Sequence, residues 1–251
     1  MVFVIVGTGC GRIAFDPLGD ARSGDSAVGD GAMFDAAVFP PPCSVRTMVD
    51  DPLRISGTTI QFQMFRSTYV DIATVSVVAT ESSQVLGAMT TNAQGDFILD
   101  LPTGGSAISP LFTISKPGFT TTYRSLNTPV DTGRINLLEI ADNATMNALY
   151  ALGPYTRRAD RGTLVVQSLN CGGTGEAGAT FTVDPAPEGI GYFNAGGTLS
   201  GSATQLPNVA AVMFNAVPGP NLITGTGQAY YPHTVDVMVG AQTVTSMMSI
   251  E

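Results

Sequence analysis

The sequence predicts an all-β protein: two tandem seven-stranded β-sandwiches joined by a short helix, behind a disordered N-terminal tether. Three observations carry this. Charged residues make up only 12% of the 251 positions, while Gly (29) and Pro (16) are abundant. Low charge with many turn formers and β-branched residues suits strands joined by tight turns. Short stretches alternate apolar and polar residues with a period of two, as a strand with one buried face does. The third observation is a single helical segment between two such sets of strands.

The N-terminus reads MVFVIVGTGCGR. An apolar run, then small residues, then Cys10, resembles the end of a bacterial lipoprotein signal, in which the cysteine is lipidated and becomes the new N-terminus. The run is too short to cross a bilayer. No basic residue precedes it and Gly7 stands where Leu is usual, which an upstream start codon explains. The competing reading is a short buried strand. Gly11 rather than Asp follows the cysteine, and the sorting pattern of such lipoproteins then implies the outer membrane or cell surface. Residues 11–42 hold Asp16, Asp20, Asp25, Asp30 and Asp35 among small residues and close on Pro40-Pro41-Pro42. They show no sustained period and read as a flexible acidic tether with a stiffer end. The aspartates lack the alternating loop that converges oxygens on calcium.

The first sandwich is expected over 43–138. In Thr59 to Phe65, Ile60, Phe62 and Met64 alternate with glutamines; in Thr74 to Ala79, Val75, Val77 and Ala79 share a face. Gln84 to Thr90 follows, then Asn92 to Gly95 as a hairpin loop with Gly95 at positive φ. Phe97, Leu99 and Leu101 face inward, Asp96 and Asp100 outward, and Pro102 ends the strand. Leu111 to Ser115, Thr120 to Arg124 and Arg134 to Leu138 complete the set.

Four segments resemble, in order, the motifs of the carboxypeptidase regulatory-like domain: Ala73-Thr74-Val75-Ser76-Val77, Thr90 to Phe97, Leu101-Pro102-Thr103-Gly104, and Ser115-Lys116-Pro117-Gly118-Phe119. The resemblance implies a seven-stranded prealbumin-like (Ig-like) sandwich, in that family a non-catalytic module of exported proteins. The opening motif departs from the family, with Ser56 to Ile60 followed by a long insertion.

Residues 139–161 are expected to hold a helix capped by Asp142 or Asn143, with Met146, Leu149 and Tyr150 on one face and Gly153-Pro154 as its stop. Arg157, Arg158 and Arg161 follow, read either as part of a spacer or as an anion-binding patch. The second, divergent sandwich is expected over 162–251. Ala179 to Val183 echoes Ala73 to Val77 with an offset of 106 residues, and Phe214 to Gly219 echoes Phe97 to Gly104 loosely. Thr163 to Leu169, Val235 to Val239 and Thr243 to Ile250 supply further strands.

No catalytic set emerges. His233 is the one histidine, too few for the iron or hydrolase sites of related sandwiches, and no G-x-S-x-G elbow accompanies it. Asp100, Asp184 and Glu188 are acids without a pairing signature. No cysteine spacing suits zinc, so neither metal nor cofactor is expected. The net charge of −9 disfavours nucleic acid and anionic lipid surfaces. The protein is therefore expected to be a non-enzymatic, lipid-anchored surface protein, a spacer or interaction module for an envelope protein. The alternative is a carbohydrate-binding module using Tyr192, Phe193, Tyr230 and Tyr231. Candidate contact positions are Asn92, Gln94, Gly95, Thr103, Tyr230 and Tyr231, because loops carry recognition on such scaffolds. Cys43 and Cys171 are either a disulfide, suited to an oxidising compartment, or two independent thiols. Non-reducing peptide mapping decides between them: one linked peptide pair supports the bridge, and two free thiols remove it.

Overall fold

The computed structural model describes residues 48–62, 68–79, 84–126, 130, 134–169, 175–206, 209–227 and 233–250. The first half contains β1 (Leu53–Gln61), β2 (Thr68–Tyr69), β3 (Thr74–Ala79), β4 (Val85–Thr90), β5 (Asp96–Leu101), β6 (Pro110–Ser115), β7 (Phe119–Thr120), β8 (Thr122–Leu126) and β9 (Arg134–Asp142). Helix α1 (Asn143–Ala151) leads to β10 (Gly162–Leu169), β11 (Thr180–Asp184), β12 (Gly189–Phe193), β13 (Leu199–Gly201), β14 (Ala210–Ala216), β15 (Gly219–Thr226), β16 (His233–Val239) and β17 (Val244–Ile250).

Both halves follow one pairing scheme. In the first, β1 pairs antiparallel with β5 and parallel with β9; in the second, β10 pairs antiparallel with β14 and parallel with β17. Opposite these lie the antiparallel ladders β3–β6–β8 and β11–β15–β16. Each half is therefore a two-layer sandwich. The halves are not separate units strung on a helix, however. β17 pairs in parallel with β8, from Val244↔Thr122 to Met248↔Leu126. This joins the second half's first sheet to the first half's second sheet as one nine-stranded sheet, in the order β13-β12-β14-β10-β17-β8-β6-β3-β4.

The two faces of that sheet are used differently along its width. Ladder partners share a face, so Val75, Ile114, Phe112 and Arg124 lie on the same side as Val244, Ser246, Val165 and Val212. Over the first half this face packs on β1, β5 and β9, forming a core with Ile55, Phe97, Leu99, Leu101, Leu138 and Ile140. Over the second half the same face is covered by Met146, Leu149 and Tyr150 of α1. The reverse face there, with Leu164, Val166, Met213 and Met247, packs on Phe181, Ile223, Val237 and Val239. β14 is buried on both sides, so its sequence AAVMFNA shows an almost continuous apolar run instead of alternation.

In β5 the expected alternation holds: Phe97, Leu99 and Leu101 are buried, and Asp96 and Asp100 are exposed. The segment Asn92 to Gly95 is not a hairpin loop. β4 pairs with β3 and β5 with β1, so the chain crosses from one sheet to the other here. Gly95 has the expected positive φ of 77°, and a Cβ on it would lie 2.5 Å from the Thr59 carbonyl oxygen. The helix has the expected face and cap: Asp142 accepts from the Thr145 amide at 2.7 Å.

Two buried threonines fasten the layers in the same way. Thr91 Oγ1 accepts from the Ala73 amide at 3.1 Å and donates to the Val70 carbonyl at 2.8 Å. Thr204 Oγ1 accepts from the Ala179 amide at 2.9 Å and donates to the Glu176 carbonyl at 2.9 Å. The residue before each alanine, Ile72 or Gly178, has positive φ. Ala73 and Ala179 are the residues of the 106-residue offset, and the offset holds for Val70 and Glu176 as well. The looser echo of Phe97 in Phe214 does not hold. Ladder positions place Ala211 at the site of Phe97, and Phe214 instead faces the helix. Replacing Thr91 or Thr204 by valine keeps shape but strands a buried amide and carbonyl. Each change is expected to cost about 1–3 kcal/mol in denaturant unfolding, and similar losses at the two sites would mark them as equivalent fasteners.

Candidate functional site

Among the described contact positions, Asn92 builds its own turn. Its Oδ1 accepts from the amides of Gln94 at 2.9 Å and Asp96 at 2.8 Å. Asn92, Ala93 and Gln94 are left exposed at the sheet crossing, while Gly95 is buried. Thr103 serves the scaffold instead: its amide donates to Asp51 at 2.9 Å and its hydroxyl to the Asp50 carbonyl at 2.8 Å. The two loops lie at opposite ends of β5, so about 17–20 Å of strand separates them. They do not form one surface. Tyr230, Tyr231, Cys10, Cys43 and Cys171 lie outside the described residues. His233 opens β16.

Two residues expected at a glycan platform belong to the interior. Tyr192 and Phe193 are both only 7% exposed. The Tyr192 hydroxyl accepts from the Phe181 amide at 2.7 Å, and burial pushes its pKa up. Tyr192 also stacks near Phe181, with ring centroids 6.4 Å apart. Two of the three candidate acids are engaged, Asp100 with Arg54 at 2.8 Å and Glu188 with the Asn215 side-chain amide at 2.7 Å, while Asp184 is exposed at the end of β11. Among the described residues no group of three or more His, Cys, Asp or Glu is arranged to hold a metal.

The densest polar arrangement lies where the two halves meet. Asn215, at φ 52°, ends the apolar run of β14. Its side chain donates to the Thr156 carbonyl at 2.8 Å, accepts from the Arg158 amide at 3.1 Å and meets the Tyr150 hydroxyl at 3.2 Å. The Tyr150 hydroxyl also lies 3.0 Å from that of Thr163. The Tyr155 ring stacks on Phe214 at 4.8 Å and closes against Gly189, where a Cβ has no room. The second half thus holds the helix and its exit. Arg157 holds the same segment to the first half, donating to Thr120 at 3.0 Å and to Asn143 at 3.3 Å. Arg158 and Arg161 both face Asp160, at 3.0 Å and 3.7 Å. Arg158 and Arg161 thus share one carboxylate, and Arg157 is bonded to neutral side chains.

Beside this joint, Arg124 is 4% exposed on the face it shares with Ser246. Burial lowers the pKa of its guanidinium, and Glu139 on β9 partly offsets that. Burial likewise raises the Glu139 carboxyl, with Arg124 opposing. Asn215 escaped sequence reasoning because it closes an apolar run. The phase of Arg124 with Thr122 was visible in the strand Thr120 to Arg124.

No family model matches the chain, and no curated protein matches it. Among solved structures it is similar to the shaft pilin SpaA of Lactobacillus rhamnosus GG, with 9% identity over 79% of this chain and 97% of that one, TM-score 0.27. The Bacillus anthracis TIE protein shows 11% identity over 79% of this chain and 34% of its own, TM-score 0.27. The full-length major pilin RrgB of Streptococcus pneumoniae shows 8% identity over 82% and 49%, TM-score 0.30. The chain spans about a third and about half of the last two proteins. At these scores the superpositions do not establish a shared fold.

The helix at the joint makes stability depend on pH through Asp142. The amide of Thr145 first, then its side chain, hold this carboxyl below its ordinary value of 3.8. Its contribution is complete above that value and is lost as pH falls through the lowered one. Asp142→Ala is expected to cost about 1 kcal/mol at neutral pH. Asp142→Asn keeps a capping oxygen and is expected to flatten the acid limb of a stability–pH curve.

Proposed function

We propose that this chain is a non-enzymatic, exported surface protein whose two sandwiches act as a stiff spacer or protein-interaction module, held to the membrane by a lipid on Cys10. The observation that carries the reading is the joint. A shared sheet, a helix buried between the halves, and a linker bonded to both sides suit a body that transmits position rather than one that opens around a substrate. Asp100, Glu188, Arg157, Arg158 and Tyr192 are each engaged in bonds within the scaffold. Matched pairing schemes and matched threonine fasteners support two copies of one carboxypeptidase regulatory-like sandwich, the second divergent. The acidic, proline-ended tether then sets the body away from the membrane, and the exposed Asn92 to Gln94 turn is the contact surface this reading favours.

Fractionation of cells producing the full chain tests the anchor. The wild type is expected in the membrane fraction and Cys10→Ser in the soluble one; a variant that stays with the membrane refutes lipid anchoring. A pull-down from native envelope with the tether intact is expected to recover a protein partner that Asn92→Ala with Gln94→Ala loses. Glycan-array binding by the wild type would overturn the protein-module reading in favour of a carbohydrate module.

A further inference from the structure

The joint inside the chain is made from two strand edges, and the counterpart of each edge is found again elsewhere on the molecule. Ladder positions give the correspondence. From the alanine motif, Val77 matches Val183; their partners Phe112 and Ile223 match; the next partners, Arg124 and Val235, match in turn. β16 therefore holds in the second half the place of β8 in the first. On the other sheet, the Thr59 amide donates to the Gly95 carbonyl and the Val70 amide to the Thr59 carbonyl, at 2.7 Å and 3.0 Å. Ser168 repeats this pair with Val209 and Glu176, each at 2.9 Å. Thr59 pairs with Leu138 and Ser168 with Ser249, so β9 holds the place of β17.

We propose that a second copy of this chain lays its β9 along β16, repeating between molecules the β17–β8 ladder within one. Among the described residues β16 is the outermost strand of its sheet, and β9 is met on its outer side by β7 at Ala141 and Asp142 alone. That contact leaves Arg134 to Ile140 of β9 without a strand on that side. At its C-terminal end β16 is already engaged, the Met238 carbonyl accepting from the Thr245 hydroxyl at 2.8 Å, so the ladder would rest on Thr234 to Val237. β16 lies close to β17 as β8 lies close to β9, and β8 nonetheless carries a strand on its edge. An open edge offers unmade backbone hydrogen bonds, and complementary strands satisfy them. The surface beside β16 is apolar where solvent would favour charge: Met238 is 46% and Leu222 39% exposed. The exposed acid on β16 is Asp236, and by the internal register it comes opposite Ile135, next to Arg134. β11 and β5 have precedents too, in the β3–β4 and β14–β12 ladders, but the strands those edges would take, β4 and β12, already spend the matching edge on β3 and β14.

Because the contact joins unlike edges, it leaves one of each edge open and adds molecules head to tail. Within the chain the ladder joins two parts of one molecule, and once each half has folded α1 holds them together at an effective concentration on the order of millimolar. Between chains that advantage is absent, so association is expected to be weak in dilute solution and stronger where molecules are crowded on one surface. The proposal does not require the lipid, so it is tested on the full unlipidated chain independently of anchoring.

Sedimentation equilibrium over a wide concentration range is expected to show an average mass that rises past that of a dimer without a plateau. Hydrogen exchange at low and high concentration is expected to slow several-fold in β16 and β9 and to stay unchanged in β4. A free peptide of residues 134–142 added in excess is expected to return the mass to that of the monomer, and a scrambled peptide to leave it raised. A monomer at every concentration, a mass that stops at the dimer, or protection that appears at β4 instead of β16 would each overturn the proposal.

Discussion

The parallel ladder between β17 and β8 is the constraint on which the rest of the architecture rests. A sandwich exposes the outer strands of its sheets, and open outer strands invite unwanted pairing. Here the outer strand of one sandwich closes the outer strand of the other. Once those sheets are continuous, the layers that cover them have no freedom. The first half's cover must lie on one face, and the second half's small sheet must lie on the reverse. The space left beside the first cover is the one that α1 fills.

That placement explains the chemistry of the joint. A helix end and an irregular connection meet there, and both bring backbone groups that need partners. Asn215 supplies them from the second half and Arg157 ties them to the first. The nearby Arg124 is a costly charge to bury, and Glu139 on β9 offsets only part of that cost.

The sequence made some of this plain and hid the rest for physical reasons. β5 is covered on one side only, so Phe97, Leu99 and Leu101 announce it by alternation. β14 is covered on both sides, so Ala211, Met213 and Phe214 carry no period that distinguishes one face from the other. The alanine motif repeats at a constant interval because it makes the same turn twice. Its threonine partner does not, since Thr91 comes 18 residues after Ala73 and Thr204 comes 25 after Ala179. The intervening strands differ in number, and hydrogen bonds tolerate that difference where an alignment by spacing does not. The inter-sheet crossing at Asn92 was read as a hairpin because the turn chemistry is the same. What differs is which strands lie beside β4 and β5, and that is a long-range fact. At the candidate site the Asn92 turn was legible; the role of Thr103 was not, because its partners at Asp50 and Asp51 lie across the fold.

The shared sheet also has a consequence for how the molecule comes into being. β8 and β17 are separated by more than a hundred residues, and closing so long a loop is slow and entropically costly. The first sandwich can gather its own layers early, but its β8 edge has no cover until β17 arrives from the far side of the second. During synthesis there is thus an interval in which a nearly finished half presents a bare strand. Arg124, the one charged residue of that strand, stands where it would discourage the wrong visitor until the right one is made.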